Sequence, residues 1–205
     1  MNISIIIAQE EHFKYAQIIC DTIETSALLR GTGIAKRTPE YIQKKMENQD
    51  AIIALDNGKF AGFCYIESWQ DHNYVAHSGL IVHPDYRNLG LAKQIKSKVF
   101  DYSLKKYPNA KVFGITTGLA VMKINSELGY NPVPFSELTS DPSFWKGSQT
   151  CTNYEILKSK DNKMCLCTGM LYDPKEKPKT PPKHPFNVRI WNRLKKIKQA
   201  LFLEK

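Results

Sequence analysis

The sequence predicts an α+β fold, with one domain whose mixed, mainly antiparallel sheet is flanked by helices. Three observations carry this prediction. Strand and helix patterns follow one another in the order β-α-α-β-β-β-α-β-α-β, which differs from the regular alternation of a βαβ barrel. The run Asp56-Asn57-Gly58, between two apolar segments, is a typical hairpin turn. The apolar segment 75–83 leads through Pro84 into an amphipathic helix.

The N-terminal part predicts one strand and two helices. Residues 2–8 are apolar and predict the first strand. Residues 11–29 have helical periodicity, with an apolar stripe formed by Phe13, Ala16, Ile19, Ile23 and Leu28. Thr38 before Pro39 and Glu40 is a strong N-cap signal, so a second helix is expected from there to about Asn48.

The central part predicts a hairpin, a further strand and an amphipathic helix. Residues 51–55 and 59–67 flank the turn, and the next strand covers residues 75–83. Helix 90–107 is expected to bury Leu91, Ile95, Val99 and Tyr102 and to point its lysines outward.

The C-terminal part of the domain alternates strand and helix once more. Residues 111–116 predict a strand, and residues 119–128 predict a short helix ended by Gly129. Residues 131–160 are rich in turn signals and predict loops. Residues 163–172 predict the final strand, on which Cys165 and Cys167 would face the same side.

The positive charge of the chain is concentrated at its end. The net charge is +9 over 205 residues, and residues 173–205 supply seven of those nine charges. Only the tail therefore carries enough positive charge to suggest binding of a nucleic acid, and no nucleic-acid partner is expected. The five prolines of residues 173–185 predict a stiff linker. Residues 186–205 predict a basic amphipathic helix that docks on its own domain or on a twin subunit, with weak contact to an anionic membrane as the alternative.

The cysteines and the apolar segments indicate a cytoplasmic protein. Five cysteines, an odd number, argue against a disulfide framework, and Cys20 and Cys64 lie in apolar runs typical of buried thiols. Cys165 and Cys167 have no second pair at ligand spacing, so no metal is expected. The N-terminal apolar segment is too short and uncharged for a signal peptide, and no run reaches the length of a membrane span.

The most informative motif lies where the strand 75–83 runs into the following helix. Arg87, Gly90 and Ala92 form Arg-x-x-Gly-x-Ala at a helix start. Free N–H groups and the helix dipole favour an anion there, and glycine allows close approach of a ligand to the backbone. Arg87 is expected to add charge-assisted hydrogen bonds, and a pyrophosphate fits this chemistry.

This segment resembles the acyl-CoA-binding signature of the GNAT acyltransferase superfamily. The resemblance implies a GNAT domain over residues 1–172, an N-acyltransferase that uses acetyl-CoA as its acyl donor, and a loop that holds the coenzyme A pyrophosphate. The expected coenzyme A contacts are Leu80, Ile81, Val82, Arg87, Asn88, Leu89, Gly90, Leu91 and Ala92.

Shorter blocks are similar to the acetyltransferase domain of N-acetylglutamate synthases. They are residues 33–38, Thr116-Thr117, Gly129-Tyr130-Asn131-Pro132-Val133 and Asn153-Tyr154. The resemblance implies transfer of an acetyl group to the amino group of a small amino acid, first of all L-glutamate, in arginine biosynthesis. The chain departs from the pattern where Glu155 and Ile156 follow Asn153-Tyr154, and it lacks the kinase-like domain that binds arginine, which puts arginine regulation in doubt.

Candidate site residues follow from this chemistry. The acceptor contacts are expected at Lys36, Arg37, Thr116, Asn153 and Tyr154, with Trp145 near them, because guanidinium and ammonium groups suit carboxylates. The catalytic candidates are Glu67, His77 and Asn125, the last standing where many GNAT enzymes have a tyrosine that protonates the thiolate. Proton relay through water stays open as an alternative to a dedicated base.

Two other readings of the chain stay open at this point. The domain is a GNAT enzyme with a different amine acceptor or a different acyl donor such as succinyl-CoA, or it is a non-catalytic acyl-CoA-binding module. Only turnover separates the last reading from the others.

Overall fold

Seven strands form one sheet in the order β1-β2-β3-β4-β5-β7-β6 in a computed structural model that describes residues 1–30 and 36–176. The strands are β1 (Ile3–Ile7), β2 (Ala51–Asp56), β3 (Lys59–Trp69), β4 (Tyr74–Val82), β5 (Lys111–Thr116), β6 (Asn131–Val133) and β7 (Thr168–Tyr172). The helices are α1 (Ala16–Arg30), α2 (Pro39–Glu47), α3 (Leu91–Lys106), α4 (Leu119–Glu127), α5 (Pro142–Lys146) and α6 (Tyr154–Ser159).

Strands β4 and β5 are parallel and pair only at one end. Their pairs run from Tyr74 with Lys111 to Ala76 with Phe113, whereas every other neighbouring pair of strands is antiparallel. Beyond Ala76, strand β4 continues to Val82 paired with β3 alone. The two strands therefore diverge, and a cleft opens between them in the middle of the sheet.

Apolar side chains fill both faces of the sheet. One core cluster packs α1 and α2 against β2 and β3 and includes Ile19, Ile42 and Phe63. The cluster under α3 includes Ile95 and Val99. The α+β class and the antiparallel hairpin predicted from the sequence are confirmed, and Asn57 and Gly58 adopt the positive φ angles, 48° and 80°, that the turn requires.

Several sequence predictions were wrong in detail. The first helix begins with a 3-10 segment, Glu10–Tyr15, and Leu28 is exposed rather than inward. Residues 131–160 contain β6, α5 and α6. Helix α5 begins there because the Asp141 side chain accepts from the Ser143 backbone N–H as the N-cap and Pro142 suits the first helical position. Among the lysines of α3, Lys96 is buried rather than outward.

The tail predictions lie largely outside the described residues. The linker 173–185 is described only as far as residue 176, and the helix predicted over 186–205 lies outside the described residues. Within the described part of the chain, each helix is too short or too polar to cross a membrane.

Candidate active site

The divergence of β4 and β5 creates a cleft of about 1120 Å³. The residues predicted from sequence for the acceptor and for catalysis line it, although they come from three strands, three helices and two loops. These residues are Lys36, Arg37, Glu67, His77, Thr116, Asn125, Trp145, Asn153 and Tyr154. Of the predicted coenzyme A contacts, Leu80 lines the cleft, whereas Ile81 and Val82 are buried in the core clusters on either side of the sheet.

One wall of the cleft is built around a half-buried guanidinium. Arg37 Nε donates to Tyr65 Oη at 2.5 Å, and Nη1 donates to the Lys36 carbonyl at 3.1 Å. The guanidinium carbon lies 5.4 Å from the ring centre of Tyr41 and 5.9 Å from that of Tyr65. The two aromatic rings hold Arg37 in place by cation–π contact.

Glu67 completes this wall. Its carboxylate accepts a hydrogen bond from Tyr41 Oη and lies 3.4 Å from Lys45 Nζ. Burial, reinforced by the neighbouring charges, raises the pKa of Tyr41 above its ordinary value, so the phenol stays protonated and keeps donating. Arg37, Tyr41, Tyr65 and Glu67 are called the acceptor wall below. Tyr41 and Tyr65 were missed in the sequence because they join the wall only when α2 packs against β3.

The other predicted acceptor contacts, Lys36, Thr116, Asn153 and Tyr154, differ in their position and in their hydrogen bonds. Lys36 is exposed at the rim, where its Nζ lies 3.2 Å from Glu24 and its backbone N–H donates to Thr150 Oγ1. Thr116 Oγ1 accepts from the Gly118 backbone N–H at 3.0 Å, at the start of α4. Asn153 precedes α6, and Tyr154 is the first residue of that helix.

A second group of polar residues lies buried at the inner end of the cleft. His77 Nε2 is 2.8 Å from Ser103 Oγ, and His77 Nδ1 is 2.9 Å from Lys96 Nζ and 3.1 Å from Tyr130 Oη. His77, Lys96, Ser103 and Tyr130 are called the buried amine network. Burial, followed by the charge of Lys96, lowers the pKa of His77 well below its ordinary value, so the imidazole is neutral.

Asn125 and Trp145 also face the cleft. Asn125 is buried, and its Oδ1 has no hydrogen-bond partner among the described residues. Trp145 Nε1 donates to the Thr139 carbonyl at 2.9 Å, so its ring is fixed within the apolar part of the lining.

Residues 87–92 form the predicted anion-binding loop, called the donor loop below. Asn88 and Gly90 have positive φ angles of 62° and 74°, and Gly90 caps the 16-residue helix α3. Within the described residues, the backbone N–H groups of residues 88–92 donate no hydrogen bond. Five free donors at a helix N-terminus make a site for an anion.

Gly90 and Arg87 contribute to the donor loop in different ways. A Cβ on Gly90 would meet no protein atom within 4 Å, so the protein itself favours glycine here through the φ angle, and the close approach of a ligand to this backbone stays a prediction. The Arg87 guanidinium donates through Nε to the Val82 carbonyl at 3.2 Å and through Nη2 to Ser26 Oγ at 2.7 Å. Arg87 therefore ties the loop to β4 and α1 through two of its three nitrogens, while Nη1 makes no hydrogen bond within the described residues.

Between the donor loop and the acceptor wall, β4 carries a bulge. The register with β3 shifts between Phe63 and Tyr65, opposite Gly79, whose φ is +64°. A Cβ on Gly79 would lie 2.5 Å from the Tyr65 ring, so only glycine lets this ring reach Arg37. Ser78, Gly79 and Leu80, which form this bulged segment of β4, line the cleft.

Comparison with known proteins decides the family. The family model described as the acetyltransferase (GNAT) family matches residues 21–119, which run from α1 to the start of α4 and include the donor loop. The chain belongs to the GNAT acetyltransferase family. The chain is accordingly a GNAT N-acetyltransferase. A search of curated proteins found no match to the sequence.

Solved GNAT structures share the fold. N-acetylglutamate synthase from Neisseria gonorrhoeae, complexed with coenzyme A and N-acetyl-glutamate, matches with a TM-score of 0.61 and 12% identity, over 86% of this chain and 36% of that one. A putative acetyltransferase from Salmonella typhimurium with acetyl-CoA matches with a TM-score of 0.58 and 16% identity, over 86% and 96% of the two chains. The present chain thus spans about a third of the synthase and nearly all of the smaller enzyme.

The sequence prediction that Cys165 and Cys167 lie on the final strand was wrong. Strand β7 begins at Thr168, so Cys165 and Cys167 lie in the segment before it, where both line the cleft together with Cys151. All three are free thiols, and burial beside Cys165 raises the pKa of Cys167 to about 12. In residues 1–30 and 36–176, no three His, Cys, Asp or Glu side chains are placed to hold a metal ion.

Proposed function

We propose that this GNAT enzyme transfers the acetyl group of acetyl-CoA to the amino group of a small dicarboxylic amino acid, with L-glutamate as its best acceptor. That activity would place it at the acetylation step of arginine biosynthesis. The observation that carries the proposal is the charge of the cleft. Four cationic side chains line it, namely Lys36, Arg37, Lys96 and Lys146, and Glu67 is the one acidic residue among the described lining.

The donor loop supports the acetyl-CoA half of this proposal. Its five free N–H groups, residues 88–92, suit the pyrophosphate, because backbone donors and the dipole of a long helix both favour negative charge. From there the pantetheine arm would run along β4 toward the bulge at Gly79. A backbone N–H at this bulge is the donor we assign to the thioester oxygen, which gains charge as the amine attacks.

The acceptor wall supports the amino-acid half. Arg37 has bonded two of its three nitrogens to Tyr65 and Lys36, and Nη2 makes no hydrogen bond within the described residues. A carboxylate in the cleft would accept from Nη2 and would be held by a guanidinium that the tyrosine rings have already oriented. Preorganised charge of this kind favours an acceptor that carries more than one carboxylate over a simple amine.

Glu67 is the group we assign to removing the proton from the acceptor amine. An ammonium must lose a proton before it attacks a thioester, and a carboxylate within reach accepts it directly or through one water. His77 is unsuited to this role, because both of its ring nitrogens are already engaged with Ser103, Lys96 and Tyr130. Holding both substrates against β4 then makes the transfer effectively unimolecular.

The test is turnover with a panel of acceptors. The full-length protein is incubated with acetyl-CoA and, in separate reactions, glutamate, aspartate, glutamine, other amino acids and simple amines. Free thiol is followed, and products are identified by mass spectrometry. We expect glutamate to give the highest kcat/KM and the product to be acetylated on the α-amino nitrogen.

Other outcomes would overturn specific parts of the proposal. A higher rate with succinyl-CoA than with acetyl-CoA would contradict the assignment of acetyl-CoA as the acyl donor. A higher rate with an amine lacking carboxylates would contradict the acceptor class. Binding of coenzyme A without turnover of any acceptor would favour the non-catalytic module.

A further inference from the structure

Lys96 is a buried cation without a negatively charged partner. Only 2% of the residue is exposed, although it belongs to α3, whose Lys93 and Lys98 point to solvent. No ion pair joins Lys96 to an acidic side chain within residues 1–30 and 36–176. An uncompensated buried charge is unfavourable for folding, so a lysine kept here calls for a reason other than stability.

Hydrogen-bond directions show that the neighbours of Lys96 hold it without neutralising it. Ser103 Oγ donates its hydrogen to the Val99 carbonyl at 2.8 Å, so it must accept from His77 Nε2. His77 Nδ1 is then a lone pair, and it accepts from Lys96 Nζ and Tyr130 Oη. The imidazole is therefore a neutral acceptor that fixes the direction of the amine.

The amine also reaches the cleft. Lys96 is part of its lining, and Nζ lies 4.0 Å from the point where a side chain at Gly114 on β5 would begin. The absence of a side chain at Gly114 leaves the amine open toward the space between the diverging strands. The titratable groups packed around it are Cys64 on β3, His77 on β4 and Tyr130 before β6, and none of them is a carboxylate.

We propose that Lys96 is the catalytic acid that gives a proton to the sulfur of coenzyme A as the thioester breaks. This inference rests on the proposed function and adds to it the residue that handles the leaving group. The neutral acceptor amine attacks the thioester carbon, and the C–S bond breaks with its electrons on sulfur. The sulfur takes a proton from Lys96 Nζ, and the new amide nitrogen loses its extra proton to solvent, because Glu67 already holds the proton removed from the ammonium. Lys96 then regains a proton from solvent.

The chemistry of the site fits this step at Lys96. The thiolate is the negative charge that the reaction itself creates inside the cleft, and Lys96 is a buried cation with no anion of its own. Burial lowers the pKa of Lys96 to about 8, close to the value of about 8.5 for an ordinary thiol. Arg37 holds its protons too tightly to act as an acid, and the Asn125 amide has no transferable proton.

The test compares Lys96→Met with Lys98→Met, a matched control on the exposed face of the same helix. Methionine keeps the length of the lysine stem and removes the buried charge, so we expect the variant to fold at least as stably as the parent. For Lys96→Met, we expect kcat to fall by at least about 100-fold, the usual contribution of an acid, with an unchanged dissociation constant for coenzyme A. For Lys98→Met, we expect kcat equal to that of the parent.

A pH profile and a second variant separate proton donation from a structural or purely electrostatic role. In the parent, kcat should decline above about pH 8 as Lys96 loses its proton, and Lys96→Met should lack that decline. Lys96→Arg keeps a charge but gives up no proton, so it should stay inactive if the role is proton donation. Parental kcat and pH profile in Lys96→Met, or full activity in Lys96→Arg, would overturn the inference. A parent that binds coenzyme A but acetylates nothing would instead overturn the proposed function.

Discussion

The donor loop and the acceptor wall lie on the same cleft but are built in opposite ways. The donor loop is a continuous run of six residues, and its working groups are backbone N–H donors exposed by the positive φ angles of Asn88 and Gly90. The acceptor wall gathers side chains from α2, the residues before it and β3, and its working groups are charges held by aromatic rings. Activity should therefore depend on backbone conformation at the donor loop and on charge at the acceptor wall.

Removing the carboxylate of the acceptor wall should have the largest effect. Glu67→Gln preserves the shape of the side chain, so the contact with Tyr41 can persist, but an amide does not accept the amine proton. We expect kcat to fall by about 10²- to 10⁴-fold while coenzyme A binds normally. The control is Glu47→Gln, which changes an exposed carboxylate on α2 paired with Lys44. Unchanged kcat in Glu67→Gln would remove Glu67 from the mechanism.

The free energy of unfolding should depend on pH because the charge of Lys96 is buried. The unfolded chain keeps that proton up to about pH 10.5, whereas the folded protein loses it near pH 8. Between these values the unfolded state binds more protons, so the free energy of unfolding should increase with pH, by about 3 kcal/mol in total. Denaturant unfolding of the parent and of Lys96→Met, each at pH 7 and at pH 10, measures this increase in the free energy of unfolding. The rise should be absent from the variant, and an equal rise in both would contradict the burial of a charge.

Recognition of an acceptor carboxylate should depend on Arg37. A charge-assisted hydrogen bond in a partly buried site contributes roughly 1.5–3 kcal/mol, so Arg37→Ala should lower kcat/KM for glutamate by about 10- to 150-fold. Coenzyme A affinity should not change, because the donor loop is elsewhere in the chain. Arg37→Lys keeps the charge without the planar fork and should give an intermediate loss.

The same variants show which carboxylate Arg37 binds. If it binds the side-chain carboxylate, the preference for glutamate over glutamine should narrow in Arg37→Ala. If it binds the α-carboxylate, the preference should persist while both rates fall. Equal kcat/KM for glutamate in the parent and in Arg37→Ala would exclude Arg37 from recognition.

Binding of acetyl-CoA at the donor loop should depend on the backbone conformation that residue 90 can adopt rather than on the volume of its side chain. Gly90→Val places a β-branched residue at a φ angle of +74°, at a cost of about 1–2 kcal/mol, which corresponds to roughly tenfold weaker binding of acetyl-CoA. Gly90→Asn is the matched variant, because asparagine tolerates the left-handed region, and it should bind nearly as well as the parent. Equal affinity for Gly90→Val and the parent, measured by calorimetry, would place the pyrophosphate elsewhere.

The smallest expected effect comes from the tail. The described lining of the cleft ends at Cys167, so a chain truncated after Lys175 should keep its specific activity with glutamate. Loss of turnover in a truncated protein that retains its circular dichroism spectrum would show that the tail belongs to the site.

Local sequence patterns predicted the donor loop, the hairpin and the start of α2. Each depends on neighbouring residues, as Thr38 and Pro39 show, where the Thr38 side chain accepts from the Tyr41 backbone N–H. The patterns failed where tertiary packing decides. Periodicity placed every lysine of α3 outside, but Lys96 faces the gap between β4 and β5, where His77 offers a lone pair. The short strand β6, Asn131–Val133, contains a proline and forms because β7 supplies a partner.

The acceptor preference of the unmodified enzyme tests the central claim most directly. Initial rates of thiol release from acetyl-CoA are measured over a range of concentrations of glutamate, glutamine and a simple primary amine, at one pH and ionic strength. We predict that kcat/KM is highest for glutamate, lower for glutamine by about tenfold or more, and lowest for the simple amine, because the positive cleft discriminates by carboxylate. Equal values for the three acceptors would contradict acceptor recognition by charge and leave a GNAT acetyltransferase whose acceptor lies in another chemical class.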